Sequence, residues 1–339
     1  MAGVTCLFAL AVTGCSAGSD STSDAAAPAE SEQASSPSPS SSGTPSSTGT
    51  SYAPYVSAVE VNDNDSAGSP ATYNLAFVIS GGSGCTPKWN GTNAIGDSAV
   101  KSRISALTAS GATARVSFGG ASGKELAATC DSVSELTRAY GEALDAAGSS
   151  QADFDIEGDE LTDADSVALR SRAIAALQEE RPDLEVSFTL PVMPSGLDAD
   201  SLALLTSANK YDVQVSTVNL MTMNYGESYA GDMGGYAITS ATAAQAQLKK
   251  IFGTTDADAW KGMALTSMIG TNDVDNETFT LADAAEVRTF AEEKGISWVS
   301  MWSTFRDQQC EDGSASDDAL TNCSGVEQSA GAFAEAFSE

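Results

Sequence analysis

From Tyr52 onward, short apolar runs of strand type alternate with longer amphipathic stretches, and this alternation limits the available folds more than any other feature of the chain. The runs are Ala53–Ser57, Tyr73–Ile79, Ala114–Phe118, Ala152–Glu157, Glu185–Leu190, Val218–Met223, Gly262–Met268 and Ser297–Trp302. Helical periodicity is expected over Asp97–Ala109, Ser132–Ala147, Asp163–Glu180, Ser201–Asn209, Thr242–Ile251 and Ala282–Lys294, with a last helix at about Val326–Phe337. Strands that alternate with helices build a parallel sheet covered by those helices. Eight strands, mostly followed by helices, within residues 52–339 predict an α/β fold, a (β/α)8 TIM barrel. A doubly wound open sheet would want a Gly-rich phosphate loop after its first strand. The first turn here, Val61–Ser66, is rich in Asp and Asn instead.

In such a barrel the chemistry sits at the C-terminal ends of the strands. The fourth run ends in Asp153-Phe154-Asp155-Ile156-Glu157. Alternate residues of a strand share a face, so three carboxyls are expected on one side and two large apolar groups on the other. Like charges so close repel if all are ionised. The arrangement stabilises nothing by itself, but it suits a site where one acid must stay protonated near pH 7. Oxygen ligands for a hard cation and a charged edge strand are the competing readings. Phe154 and Ile156 argue against an edge, because they demand helices packed behind them.

The chain contains no histidine. That excludes Ser-His-Asp and Cys-His nucleophiles and imidazole metal sites, so proton transfer falls to carboxyls, Tyr, Lys or Cys. No metal and no cofactor are expected. The net charge of −30 excludes a nucleic-acid partner, which needs clustered Lys and Arg. It reads as a solvated surface that keeps an exported protein soluble, with attraction of a cationic polymer as the sharper alternative.

Residues 1–15 read as a signal peptide. The run Val4–Gly14 is too short to span a bilayer and fits an apolar h-region, although no Lys or Arg precedes Lys88. Its ending, Val12-Thr13-Gly14-Cys15, resembles a bacterial lipobox, which implies lipidation of Cys15 and an extracellular, cell-surface location with membrane contact only through that anchor. Residues 16–51 are almost wholly Ser, Thr, Ala, Gly, Pro, Asp and Glu, a disordered linker by composition. Residues 52–339 are left as the catalytic barrel, expected to be a monomer. Cys85, Cys130, Cys310 and Cys323 are an even set in an exported chain and suggest two disulfides. The short loop between Cys310 and Cys323 favours that pair, leaving Cys85 with Cys130.

Four stretches together resemble the family-18 glycoside hydrolases of the bacterial secreted chitinase type. Val116-Ser117-Phe118-Gly119-Gly120 resembles the family's Ser-x-Gly-Gly third strand. Asp153 to Glu157 resembles the end of its Asp-x-x-Asp-x-Asp-x-Glu fourth strand, with Ser150 in place of the first Asp. Asn219 to Tyr225 resembles its sixth strand, usually Met-x-Tyr-Asp, with Met223 and Asn224 on the Tyr and Asp positions. Trp302 falls on its eighth-strand tryptophan. The resemblance runs in order through residues 52–310.

It implies a chitinase acting on N-acetylglucosamine polymers by substrate-assisted, retaining hydrolysis, an exception to the two-carboxylate rule. Glu157 would be the general acid and Asp155 would orient the substrate's N-acetyl group. Asp153 would share a proton with Asp155, so that those two titrate as a unit. Tyr225, two residues beyond Met223 on the same strand face, would supply the family's tyrosine hydroxyl. Trp302 would floor the sugar, with Asn224, Met221 and Ser117 as further substrate contacts and Met221 and Met223 packing below the site. A conventional retaining enzyme would need a second carboxylate, and the seventh strand carries no acid before Asp273. Endo-N-acetylglucosaminidase action on N-glycans and a chitin-binding lectin on the same barrel are the alternatives.

Overall fold

The computed structural model describes residues 49–315 and 317–339. The signal segment, Cys15 and residues 16–48 of the expected linker lie outside these. Eight parallel strands form the frame: β1 (Ser51–Tyr52 continuing at Tyr55–Ser57), β2 (Thr72–Ser80), β3 (Thr113–Gly119), β4 (Gln151–Asp155), β5 (Glu185–Pro191), β6 (Val215–Met221), β7 (Met263–Met268) and β8 (Trp298–Trp302). Each pairs with the next in chain order from β2 to β8. β1 closes the ring, since Ser51 and Tyr52 pair with Trp298 and Val299 while Tyr55–Ser57 pair with Asn74–Ala76. The barrel starts one residue before its expected border. The Thr50 hydroxyl donates to the Ile296 carbonyl oxygen and Ser51 N–H to that of Ser297, and such bonds need no apolar side chain.

The helices that cover the barrel are α1 (Ser98–Leu107), α2 (Val133–Ala147), α3 (Ala164–Glu180), α4 (Ala199–Lys210), α5 (Met233–Phe252), α6 (Leu281–Lys294) and α7 (Ala332–Ser338). Most begin on a side-chain cap: Asp97, Ser132, Asp163, Asp198, Asp232 and Thr280 each accept a first-turn backbone N–H. α5 starts nine residues before the expected Thr242. Gly234 and Gly235 hide its first turn from a propensity reading, but the Asp232 cap and burial of Met233 and Ala237 hold it. Two small hairpins decorate the ring: Pro87–Trp89 with Asn93–Ala94 beside β2, and Gly270–Thr271 with Thr278–Phe279 after β7.

Alternation along β4 divides two environments. Phe154 faces the helices in a stack with Phe118 at 5.3 Å and Phe188 at 5.7 Å, with Tyr140 of α2 edge-on at 5.0 Å. Asp153 faces the barrel interior, where it meets hydroxyls from β1, β3 and β5. The core therefore lies between sheet and helices, and the ring interior is a buried polar network that leads up to the strand ends. Disulfides join Cys85 to Cys130 and Cys310 to Cys323, the expected pairs. Among the described residues no helix is long and apolar enough to cross a membrane.

Candidate active site

A cleft of about 280 Å³ opens at the C-terminal ends of the strands. Its walls include Asp155, Glu157, Met221, Asn224, Asp273 and Trp302. β4 stops at Asp155, and Glu157 stands in extended backbone as the N-terminal residue before a short helix, Gly158–Thr162. Glu157 thus leaves the strand ladder where the chain turns into that helix, and its carboxyl reaches the cleft.

Asp153 lies beneath the cleft, 1% exposed. Its Oδ2 accepts from Tyr55 at 2.9 Å and Ser117 at 2.7 Å, and its Oδ1 accepts from Ser187 and Thr189, both at 2.8 Å. Four hydroxyls occupy both oxygens. This corrects the expectation that Asp153 shares a proton with Asp155. The partner of Asp155 is Glu157: their carboxyls meet in a side-chain hydrogen bond. Two carboxyls in such contact hold one proton between them and titrate as a pair. Burial, then Glu157, then Asp153 push the Asp155 carboxyl well above the usual carboxylate range. Burial is also the chief cause that raises Glu157; the hydrogen bond with Asp155 opposes it, and Asp273 adds to the rise. Asp155 Oδ1 is buried without a hydrogen-bond partner, an acceptor left free at the cleft wall.

Backbone geometry explains the Gly-Gly pair that ends β3. Gly119 has φ +103°, and a Cβ there would run into the Asp155 carbonyl oxygen. Gly120 N–H donates to that same oxygen at 2.9 Å. Both glycines let β3 approach the strand that carries Asp155 closely. Gly119→Ala is expected to destabilise the fold by about 2–3 kcal/mol, measured by urea unfolding. A stability within 0.5 kcal/mol of the parent would contradict this reading.

The remaining sequence candidates divide. Trp302 lies in the wall, stacked on Phe77 at 5.5 Å and 25°, with the Tyr55 ring edge-on at 5.9 Å. Met221 and Asn224 line the cleft, and so does Met223, which had been expected to pack below it. Ser117 does not: it is fully buried and serves Asp153. Tyr225 is not brought to the site either. β6 ends at Met221, so strand parity does not extend to residue 225. Asn224 takes φ +54°, and the turn sends Tyr225 into a cluster with Tyr229 and Tyr236, its hydroxyl 3.4 Å from Ser240 of α5.

Asp273 is the first acid after the seventh strand and is not among the residues expected at the site. The small hairpin after β7 carries it into the cleft wall. Asn224 holds it there, donating Nδ2–H to Asp273 Oδ2 at 3.1 Å while Asp273 N–H donates to Asn224 Oδ1 at 3.0 Å. The acid-free end of the seventh strand therefore did not mean an acid-free wall. Below lies Arg306, fully buried, which donates to the carbonyl oxygens of Trp302, Thr271 and Ala319. Burial lowers its pKa to about 10, against the pull of Asp273. Among the described residues one carboxylate group, Asp232, Asp283 and Glu286, is close enough to hold a cation, and two of its members already cap α5 and α6.

No family model matches the chain. It is 34% identical over 275 residues to a probable bifunctional chitinase/lysozyme of Escherichia coli, covering 76% of this chain and 31% of that protein. The catalytic domain of a hyperthermophilic chitinase from Pyrococcus furiosus is 30% identical, with a TM-score of 0.73, covering 84% of this chain and 93% of that domain. Catalytic-site mutants of active domain 2 of the Pyrococcus furiosus thermostable chitinase, complexed with chito-oligosaccharides, align with a TM-score of 0.74 at 27% identity, covering 86% and 96%. The chain spans about a third to a half of the length of the curated relatives it matches. The fold and its carboxyl-lined cleft are those of a barrel glycosidase. The chain belongs to family 18 of the glycoside hydrolases.

Proposed function

We propose that the protein hydrolyses β-1,4 bonds between N-acetylglucosamine units of chitin and its oligomers, with substrate assistance and retention at the anomeric carbon. The observation that carries this is the contact of the Asp155 and Glu157 carboxyls at the wall of the cleft, which suits a pair that shares one proton. The names of the relatives, and the chito-oligosaccharides in one of the solved structures, support the substrate class.

In the first step the substrate's acetamido oxygen attacks the anomeric carbon. The bond to the leaving oxygen breaks, and Glu157 gives that oxygen its proton. An oxazolinium ion results. With the shared proton on Glu157, Asp155 as carboxylate holds the acetamido N–H and faces the positive charge that develops there. Glu157, now ionised, takes a proton from the water that opens the ring and returns to its starting state. Trp302 supplies an apolar floor for the sugar. Asn224 and Asp273 replace Tyr225 as the polar groups on the β6–β7 side. Asp153 and Ser117 act from beneath by fixing the strand that carries Asp155.

On this reading the enzyme is a secreted lipoprotein anchored through Cys15, with the residue 16–51 linker between the anchor and the barrel. The two disulfides suit an oxidising location. Product analysis on an N-acetylglucosamine tetramer beside an N-glycan tests the assignment. Cleavage of the tetramer with β-anomeric products is expected. Exclusive cleavage of the N-glycan would move it to endo-N-acetylglucosaminidase, and binding without cleavage to a lectin. Fully deacetylated chitosan is expected to stay uncut, because it lacks the internal nucleophile. Its hydrolysis at a rate comparable to chitin oligomers would overturn substrate assistance and point to Asp273 as a second carboxylate.

A further inference from the structure

Glu277 is a carboxylate in an unusual place. It is 1% exposed, and no Lys or Arg among the described residues pairs with it. A buried carboxylate without a cation is costly unless backbone donors compensate. Here they come from one turn. Gly226 N–H donates to Oε1 at 2.7 Å, the N–H groups of Asn224 and Tyr225 lie near enough to favour the charged form, and Oε2 is buried without a hydrogen-bond partner. The same residue is tied to the other loop by its backbone, since Asn272 N–H donates to the Glu277 carbonyl oxygen at 3.1 Å. Glu277 thus spans the turn after β6 and the hairpin after β7, where its partner Asn272 directly precedes Asp273.

The turn it grips contains Asn224 at φ +54° and Gly226 at φ +118°, both in the left-handed half of the map. Asn224 is the residue whose amide makes both hydrogen bonds to Asp273. Asp273 and Glu157 line the same cleft. We infer that Glu277 is a positioning residue: by clamping residues 224–226 it fixes the Asn224 amide, which holds the Asp273 carboxylate in the reaction cleft with Glu157. Glu277 touches neither substrate nor Glu157, so it acts through two intermediaries.

The inference rests on Glu157 being the general acid, and its consequence appears in the pH profile. A negative Asp273 facing Glu157 strengthens its hold on the proton. Other groups bear on Glu157 as well: Asp155 on its own strand and Asp198 across the cleft. Asp159, Glu160, Asp163 and Lys124 lie in the depression on its far side. None of these touches Glu277, so a change at Glu277 that reaches Glu157 must pass through Asp273.

The test compares Glu277→Gln, Glu277→Ala, Asp273→Asn and the Glu277→Ala/Asp273→Asn double variant on a fluorogenic N-acetylglucosamine oligomer across pH. An acid must be protonated to act, so loss or displacement of Asp273 is expected to move the alkaline limb of kcat/KM to lower pH. Glu277→Ala is expected to move that limb in the same direction as Asp273→Asn and to lower kcat on the order of 10-fold, with KM changed less. The double variant is expected to match Asp273→Asn alone in its limb. If Glu277→Ala does not fold, Glu277→Gln, which keeps one acceptor oxygen, gives a smaller shift in the same direction.

A folded Glu277 variant with the parent's limb would reduce Glu277 to a structural tie and overturn the inference. So would a shift that adds fully to that of Asp273→Asn. Carboxyl-carbon NMR titration of Glu157 in the parent and in Glu277→Gln reads the same coupling without turnover. A chain with no activity on any oligomer would sink the proposed function while this titration still decides the clamp.

Discussion

Glu157→Gln is expected to lower turnover of N-acetylglucosamine oligomers by about 10²–10⁴-fold, the usual contribution of a general acid–base group. The amide is nearly isosteric and can still meet Asp155, so the cleft keeps its shape. It carries no transferable proton, so the leaving oxygen departs unassisted. Oligomer affinity, measured by calorimetry, is expected to stay within a few-fold of the parent, because Trp302 and the β6–β7 wall are untouched. The thermal midpoint should change little, since Glu157 is paired with Asp155 and not with a buried cation. A variant that keeps more than a tenth of the parent's turnover would remove Glu157 from the acid role. Asp273 would then be the next carboxyl to examine.

Much of this site was legible in the chain. The two-residue period of Asp153 to Glu157 separated the polar interior from the helix-facing Phe154 and Ile156. The order of strands and helices placed the segment at the mouth of a barrel. The errors came where a local rule was carried one element too far. Strand parity was extended through Tyr225, but β6 ends at Met221 and Asn224 turns the chain at φ +54°. Ser117 was read as a substrate contact because it sits in a motif, whereas it is sealed in the ring interior against Asp153. The partner of Asp155 depended on hydroxyls from β1, β3 and β5 that occupy Asp153, a tertiary arrangement no single stretch encodes. Asp273 was missed for the opposite reason. The seventh strand itself carries no acid, and the hairpin of Gly270–Thr271 with Thr278–Phe279 brings Asp273 back to the cleft wall.

The strand that carries the site is supported from outside by a buried ion pair, and Glu125→Ala is expected to cost about 3–5 kcal/mol. Glu125 Oε2 accepts from Arg170 Nε at 3.0 Å, from Arg170 Nη2 at 2.8 Å and from Ala127 N–H at 2.9 Å, while Oε1 accepts the Tyr140 hydroxyl at 2.6 Å. Both charged side chains are 1% exposed. Removing the carboxylate leaves the Arg170 guanidinium in apolar surroundings, with one of its nitrogens, Nη1, already without a partner. It also frees Tyr140, whose ring stands edge-on to Phe118 and Phe154 behind β3 and β4. Denaturant unfolding would read the loss as a lower midpoint at an unchanged slope. Because the cost lies mainly in the stranded cation, Glu125→Met combined with Arg170→Met should recover a large part of it. If the double variant is no more stable than Glu125→Ala, the loss comes instead from the packing of Tyr140 and the backbone bond to Ala127. The ion pair would then be incidental to how β4 is held under Asp155 and Glu157.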